Sequence, residues 1–195
     1  MAIADIRDAT EADVADIIRI QSDIWRTAYA EIIPPAALEG LTGPAAREAW
    51  AAAVSSDEGH LLVATEGQWT VGFCAATPAG AEDPDEPAGQ AQIAVLLVEP
   101  RWGRRGHGRR LVAAAFDALI ADGASSGIAW LPEQDVASRA FYDRAGWEPD
   151  GYVRTLDAGD RQLREIRVTG GLRFENRDPR KRALEPDVFR EAGEL

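Results

Sequence analysis

At 195 residues the chain is long enough to form one domain with a proper core and needs no disulfide or metal staples. Its net charge of −12 excludes a general nucleic-acid binder, and no apolar run approaches the roughly 18 residues of a membrane span. One cysteine, Cys74, excludes an internal disulfide, and with only His60 and His107 beside it no zinc spacing exists, so no metal site is expected. The opening MAIADIRDATEAD has neither a basic leader nor an apolar signal core, and a cytoplasmic location is expected.

In chain order, residues 3–8 read as a short strand, and Thr10 with Asp13 three residues on reads as a carboxylate variant of the capping box. Val14, Ile17, Ile18, Trp25 and Tyr29 then recur at helical spacing, which predicts a helix from about Glu11 to Tyr29. Leu38, Leu41 and the run Ala46 to Ala53 suggest one or two further helices, broken at Gly43-Pro44. His60 to Thr65 and Trp69 to Ala76 flank a hairpin turn at Glu66-Gly67-Gln68, and Thr77 to Gly89 reads as a surface loop. Gln90 to Val98 is the longest predicted strand. Arg104 to Ala121 is predicted helical, Gly127 to Leu131 a strand, and Ser138 to Ala145 a short helix ended by Gly146. Trp147 to Leu156 and Arg161 to Val168 form a last hairpin, and residues 173–195 form a charged tail with a short docked helix as its one candidate element. Hairpins mixed with strand–helix–strand units imply an α+β fold.

The segment from Ile93 to Leu111, IAVLLVEPRWGRRGHGRRL, stands out. A strand ends at Pro100, a glycine-rich turn follows, and a helix begins at once, with arginines at 101, 104, 105, 109 and 110. Glycines let a backbone close around an anion, and the first helical N–H groups carry the positive end of the helix dipole. Neither Walker nor dinucleotide-fold spacing is present. On these residues alone, a phosphate-bearing ligand competes with a plain helix-opening turn.

Together with Asp135 to Trp147, DVASRAFYDRAGW, this segment resembles the GCN5-related N-acetyltransferase (GNAT) family. Val98-Glu99-Pro100 followed by Gly103 to Gly108 matches the family's acetyl-CoA signature, and Asp135, Ser138, Phe141, Tyr142, Gly146 and Trp147 fall in register with its later motif. The resemblance spans residues 3 to about 172, which sets a domain of residues 1–172 before the tail. It implies a mixed, mostly antiparallel sheet of about seven strands with helices on both faces, splayed between strands four and five. It also implies acetyl-CoA as acyl donor, a primary amine as acceptor, and direct attack in a ternary complex. Leu97 and Val98 would pair with the pantetheine arm through their backbone. Arg104, Arg105, Gly106, His107, Gly108 and Arg109 would wrap the pyrophosphate, Asp135 and Ser138 would sit beside the pantetheine or adenine end, and Tyr142 would protonate the departing thiolate.

Three positions depart from the family pattern. Gly103 stands where a Gln or Arg is usual, Asp135 where an Asn is usual, and Gln92 where many relatives carry a glutamate base. Glu31 and Glu133 are the candidate replacements for that base, each also readable as a solvated surface carboxylate. Trp25, Tyr29 and Glu31 fall where the family forms one wall of the acceptor pocket, and core packing explains the two aromatics equally well. Net acidity favours a cationic small-molecule or peptide acceptor, and a homodimer, with the tail as its contact, is compatible with the sequence. Gln92 and Asp135 also motivate a second reading, a catalytically weak acyl-CoA-binding sensor or partner module of the same fold.

Overall fold

The alternating segments become seven strands of one sheet, and the computed structural model describes residues 4–28, 40, 43–79, 89–157 and 162–174. The strands are β1 (Ala4–Asp8), β2 (His60–Glu66), β3 (Trp69–Pro78), β4 (Gln90–Val98), β5 (Ser126–Pro132), β6 (Glu148–Asp157) and β7 (Gln162–Gly171). Their spatial order is β1-β2-β3-β4-β5-β7-β6, with β4 and β5 parallel and every other neighbouring pair antiparallel. This is the mixed sheet that the family resemblance implies.

Among the described residues four helices cover it: α1 (Val14–Ala28), α2 (Pro44–Val54), α3 (His107–Ala121) and α4 (Val136–Arg144). Three start away from their expected positions, for local reasons. A 3-10 turn at Glu11–Asp13 precedes α1. Arg104 and Gly106 take left-handed φ values of 61° and 84°, which no α-helix can continue, so α3 begins at His107 rather than Arg104. Asp135 caps α4, which therefore starts at Val136 rather than at Ser138. The helix expected around Leu38 and Leu41, and the tail beyond Phe174, lie outside the described residues.

The sheet separates two cores. On one face Ile17 and Ile20 of α1 meet Leu61, Val63 and Phe73, and Trp50 of α2 joins them edge-on to Phe73 at 5.3 Å. On the other, Leu111, Val112, Phe116 and Leu119 of α3 pack with Leu62, Cys74, Ile93 and Leu131. Strand β4 serves both cores because of one inserted residue. Ala75 pairs with Val95 while Ala76 pairs with Ile93, so Ala94 is a β-bulge. A one-residue shift reverses the facing of every later side chain. Ala91 and Ile93 accordingly belong to the α3 core, as do Leu96 and Val98, whereas Val95 and Leu97 join the α1 core.

Trp147 fastens α4 to the far half of the sheet. Its ring stacks on Phe116 at 5.5 Å, lies 5.1 Å from the Tyr142 ring, and donates from Nε1 to the Gly171 carbonyl at 3.0 Å. The indole fits because β5 and β7 present glycines beneath it. A Cβ at Gly127 would meet the ring at 2.7 Å, and one at Gly170 at 2.3 Å. Gly170→Ala is therefore expected to displace Trp147 and cost about 1–3 kcal/mol of overpacking. An unchanged urea midpoint would contradict this placement.

At the other end of the sheet, Asp13 ties the start of α1 to β1. Its carboxylate accepts from Arg7 at 2.7 and 2.9 Å, and from the Thr10 amide and hydroxyl at 2.9 and 2.8 Å. The Arg7 guanidinium, aided by Thr10, holds this buried carboxyl at about 2, below the usual 3.8. The unfolded chain binds the proton first, so this contribution is complete above the ordinary value and is lost as pH falls towards 2. Asp13→Asn should cost on the order of 2 kcal/mol at pH 7 and flatten the acid limb of the stability curve between pH 4 and 2, read by denaturant melts across pH.

Candidate functional site

Parallel pairing of β4 with β5 lasts for three residue pairs, Gln90 with Ser126, Ala91 with Gly127 and Gln92 with Ile128. Beyond Gln92 the strands separate, and between them opens a cleft of about 1080 Å³. Residues Ile93–Val98 form one side, Trp130–Pro132 the other, and the start of α3, the inner face of α4 and the end of α1 complete it. The site is thus a gap in the sheet, with strand backbone along one wall.

The turn between β4 and α3 shapes the basic end. Pro100–Trp102 makes a single 3-10 turn closed by Gly103 N–H to the Pro100 carbonyl at 3.0 Å. Gly106 precedes α3 with no side-chain cap, so the first N–H groups of the helix are left for a ligand or water. Arg104, Gly106, His107, Gly108 and Arg109 line the cleft. An anion fits this set: open amides at the positive end of a 15-residue helix, flanked by guanidiniums.

Two side chains of the turn depart from expectation. Arg105 does not line the cleft. It binds Glu66 Oε1 at 3.0 Å and lies over the Trp102 ring at 4.8 Å. The His107 imidazole is 2% exposed, with Nε2 2.9 Å from Glu66 Oε2 and Nδ1 3.0 Å from Arg110 Nη2. A guanidinium can only donate, so Nδ1 accepts and Nε2–H donates to the carboxylate. With its ring so committed, His107 presents its main chain to the cleft, and the ring ties the turn to the end of β2.

Glu99, between β4 and this turn, is a second fastening. It accepts from Arg19 of α1 and from Arg101, and its own amide donates to the Val71 carbonyl at 2.9 Å. Burial alone would push its carboxyl up, but the two guanidiniums outweigh that and hold it below the ordinary value. The pair with Arg19 joins α1 to the end of β4, beside the cleft.

Across the gap, Tyr142 projects from α4 and lines the cleft although only 3% of its surface is exposed. Burial, reinforced by nearby Cys74, pushes its phenol well above the usual value, so it holds its proton throughout the ordinary pH range. Asp135 and Ser138 line the cleft as well. The Asp135 carboxylate is occupied at the helix start, accepting from the Ser138 amide at 2.9 Å and the Ser138 hydroxyl at 2.7 Å. That arrangement explains why an aspartate serves where an asparagine is usual, since both are good caps.

Leu97, Val98 and Trp25 also line the cleft, whereas Gln92 and Glu133 do not. Glu133 pairs with Arg164 at 3.3 Å on the surface. Tyr29 and Glu31 lie outside the described residues. Trp130, Glu165 and Phe174 line the cleft unforeseen. Phe174 stands two residues past the expected end of the domain and packs against Phe116 and Phe141 at 5.6 and 6.3 Å. Glu165 was legible only as part of an alternation: Leu163, Glu165 and Arg167 are all buried on β7, on a face that apolar patterning alone leaves to solvent.

Comparison with known proteins agrees with this geometry. The model of the acetyltransferase (GNAT) family matches residues 17–147, and the chain belongs to that family. YuaI, an uncharacterized N-acetyltransferase of Bacillus subtilis, is 33% identical over 137 residues, which cover 70% of this chain and 76% of that one. Among solved structures, the PaiA N-acetyltransferase of Thermoplasma acidophilum in complex with coenzyme A has a TM-score of 0.69 at 16% identity, covering 87% of this chain and 99% of its own. The protein yncA of Salmonella typhimurium, solved with its cofactor acetyl-CoA, has a TM-score of 0.67 at 20% identity, covering 95% of this chain and 99% of its own. At these identities the structures establish the fold. Among the described residues no helix is long and apolar enough to cross a membrane.

Cys74 sits behind the site with 0% exposure, and burial pushes its thiol up to about 12. It has neither the accessibility nor the acidity of an acyl-carrying nucleophile. A thiol reagent at pH 8 should leave native protein unlabelled and modify one sulfur per chain after unfolding in urea. Fast labelling of the native protein would contradict the burial.

Proposed function

We propose that this protein transfers an acetyl group from acetyl-CoA to a primary amine by direct attack in a ternary complex. The observation that carries the reading is one cleft that joins an uncapped, arginine-flanked helix N-terminus to a buried, protonated tyrosine across splayed strands. The solved relatives that hold coenzyme A or acetyl-CoA support the choice of donor.

The free backbone of Leu97 and Val98, on the side of β4 that β5 has left, offers ladder hydrogen bonds to the amides of a pantetheine arm. Main-chain N–H groups between Arg104 and Arg109 receive the pyrophosphate, with Arg104 and Arg109 supplying charge. Ser138, held by Asp135, lies along the pantetheine. The neutral amine nitrogen attacks the thioester carbonyl and a C–N bond forms. The C–S bond then breaks, and Tyr142 gives its hydroxyl proton to the departing sulfur. The amine's surplus proton leaves to water in the open cleft, and Tyr142 is reprotonated from solvent. Burial raises the affinity of the phenolate for its proton, but a thiolate expelled into the same apolar surroundings is raised as well, so the two remain matched. A cytoplasmic setting, with Cys74 reduced, is consistent with this donor.

Acetyl-CoA should raise the melting temperature, and ATP at equal concentration should not; a ligand at 100 times its Kd adds ~2.7 kcal/mol to the native state. Tyr142→Phe should lower kcat about 100-fold or more while leaving coenzyme A affinity within twofold. Normal turnover in that variant would remove Tyr142 from the chemistry, and absence of any acetyl-CoA shift would remove the donor.

A further inference from the structure

The charges that line the cleft are segregated. Arg104, Arg109 and Arg144 stand on the side of α3 and α4, where Asp135 is occupied by its cap. On the α1 side, Glu165 of β7 is the one charged lining residue among the described residues, and Ile24, Trp25, Ala28 and Trp130 line the same cleft. Strand alternation places it there. Ala129, Leu131, Ile166 and Val168 belong to the α3 core, so Trp130 and Glu165 occupy the opposite face.

Glu165 is held as a binding group is held. It is 7% exposed, and its Oε2 accepts from Arg154 Nε at 2.7 Å. Arg154 does not itself line the cleft; it lies behind, over the Trp130 ring at 4.4 Å. A carboxylate has about four acceptor positions, and this bond uses one. Trp130 is fixed further by Arg167, 5.8 Å from its ring, which is buried against Tyr152 at 3.8 Å and bonded to Asp150 at 2.7 Å. Carboxylate and indole are thus set in place before any acceptor arrives, and a preorganised site loses less entropy on binding.

We infer that Glu165 receives the ammonium group of the acceptor, which gives one proton to water in the cleft before its nitrogen attacks, and that the acceptor is a singly charged primary amine whose apolar body packs between Trp25 and Trp130. The inference rests on the amine-transfer reading above and specifies its substrate class. One carboxylate among aliphatic and indole surfaces matches one ammonium on an apolar frame.

The test uses the full-length protein with acetyl-CoA and two probes, 2-phenylethylamine and 1,4-diaminobutane, with coenzyme A release as readout. Wild type should prefer 2-phenylethylamine in kcat/KM by tenfold or more. Glu165→Gln should raise the KM for 2-phenylethylamine about 10- to 100-fold, the range of a charge-assisted hydrogen bond, with kcat within threefold. Because the single variant leaves Arg154 without its carboxylate, Glu165→Gln with Arg154→Gln is measured beside it and should give the same rise. Wild-type coenzyme A affinity in each variant establishes that it is folded. Titration of 2-phenylethylamine into coenzyme-A-saturated protein should show the same weakening without turnover. An unchanged KM and unchanged binding in both variants, or a preference for 1,4-diaminobutane, overturns the inference while leaving amine transfer standing. Absence of acetyl transfer to either amine, with no binding of 2-phenylethylamine, overturns this substrate class; failure of the acetyl-CoA shift is what separately overturns the transfer reading.

Discussion

Everything of functional interest in this molecule depends on the parting of two parallel strands. Strands β4 and β5 pair for three residues and then diverge, so that an otherwise continuous sheet contains a wedge of unpaired backbone. The bulge at Ala94 lies just past the last pair and turns the rest of β4 over, so that Val95 and Leu97 serve the α1 core while Leu96 and Val98 serve the α3 core. Helices flank the wedge on both faces, with the end of α1 on one and the starts of α3 and α4 on the other, and the gap becomes a cleft lined from three directions.

Two devices keep the wedge in shape. On one side, Glu99 holds Arg19 of α1 and Arg101 at the end of β4, and Glu66 holds Arg105 and His107 of the glycine-rich turn. These are carboxylates with guanidinium or imidazole partners, and each joins segments distant in sequence. On the other side the fastening is apolar. Trp147 fills the slot above Gly127 and Gly170 and supports Tyr142, so the position of the phenol is set by packing on the half-sheet β5-β7-β6. The turn that suits a phosphate and the tyrosine are therefore carried by different halves of the sheet, and their separation is fixed by how far the halves splay.

The fold was legible because its local signals agreed with one another: period-two runs, turn residues at hairpins, and a proline and two glycines between β4 and α3. The turn and the helix bearing Tyr142 could be found for the same reason, since each has a dense motif. What escaped was side-chain commitment across the sheet. Nothing near Arg105 or His107 in sequence reveals that both are taken by Glu66, about forty residues earlier. Glu165 escaped through the opposite ambiguity. On a strand buried on both faces, a Glu alternating with Ile reads as the solvent side, whereas Glu165 is buried and lines the cleft. Gln92, at the position where the resemblance implies a glutamate base, sits in the last paired rung and does not line the gap.

A sheet interrupted in its middle has four strand edges instead of two, and unpaired edges invite pairing with other chains. Here the two extra edges face each other across the wedge, flanked by α1, α3 and α4. The outer edges belong to β1 and β6. The interior pair thus face one another across a cleft rather than lying at the sheet's outer rim. The same parting that makes room for a ligand turns its unpaired backbone inward, towards the ligand, and away from the outer edges where strands of different molecules meet.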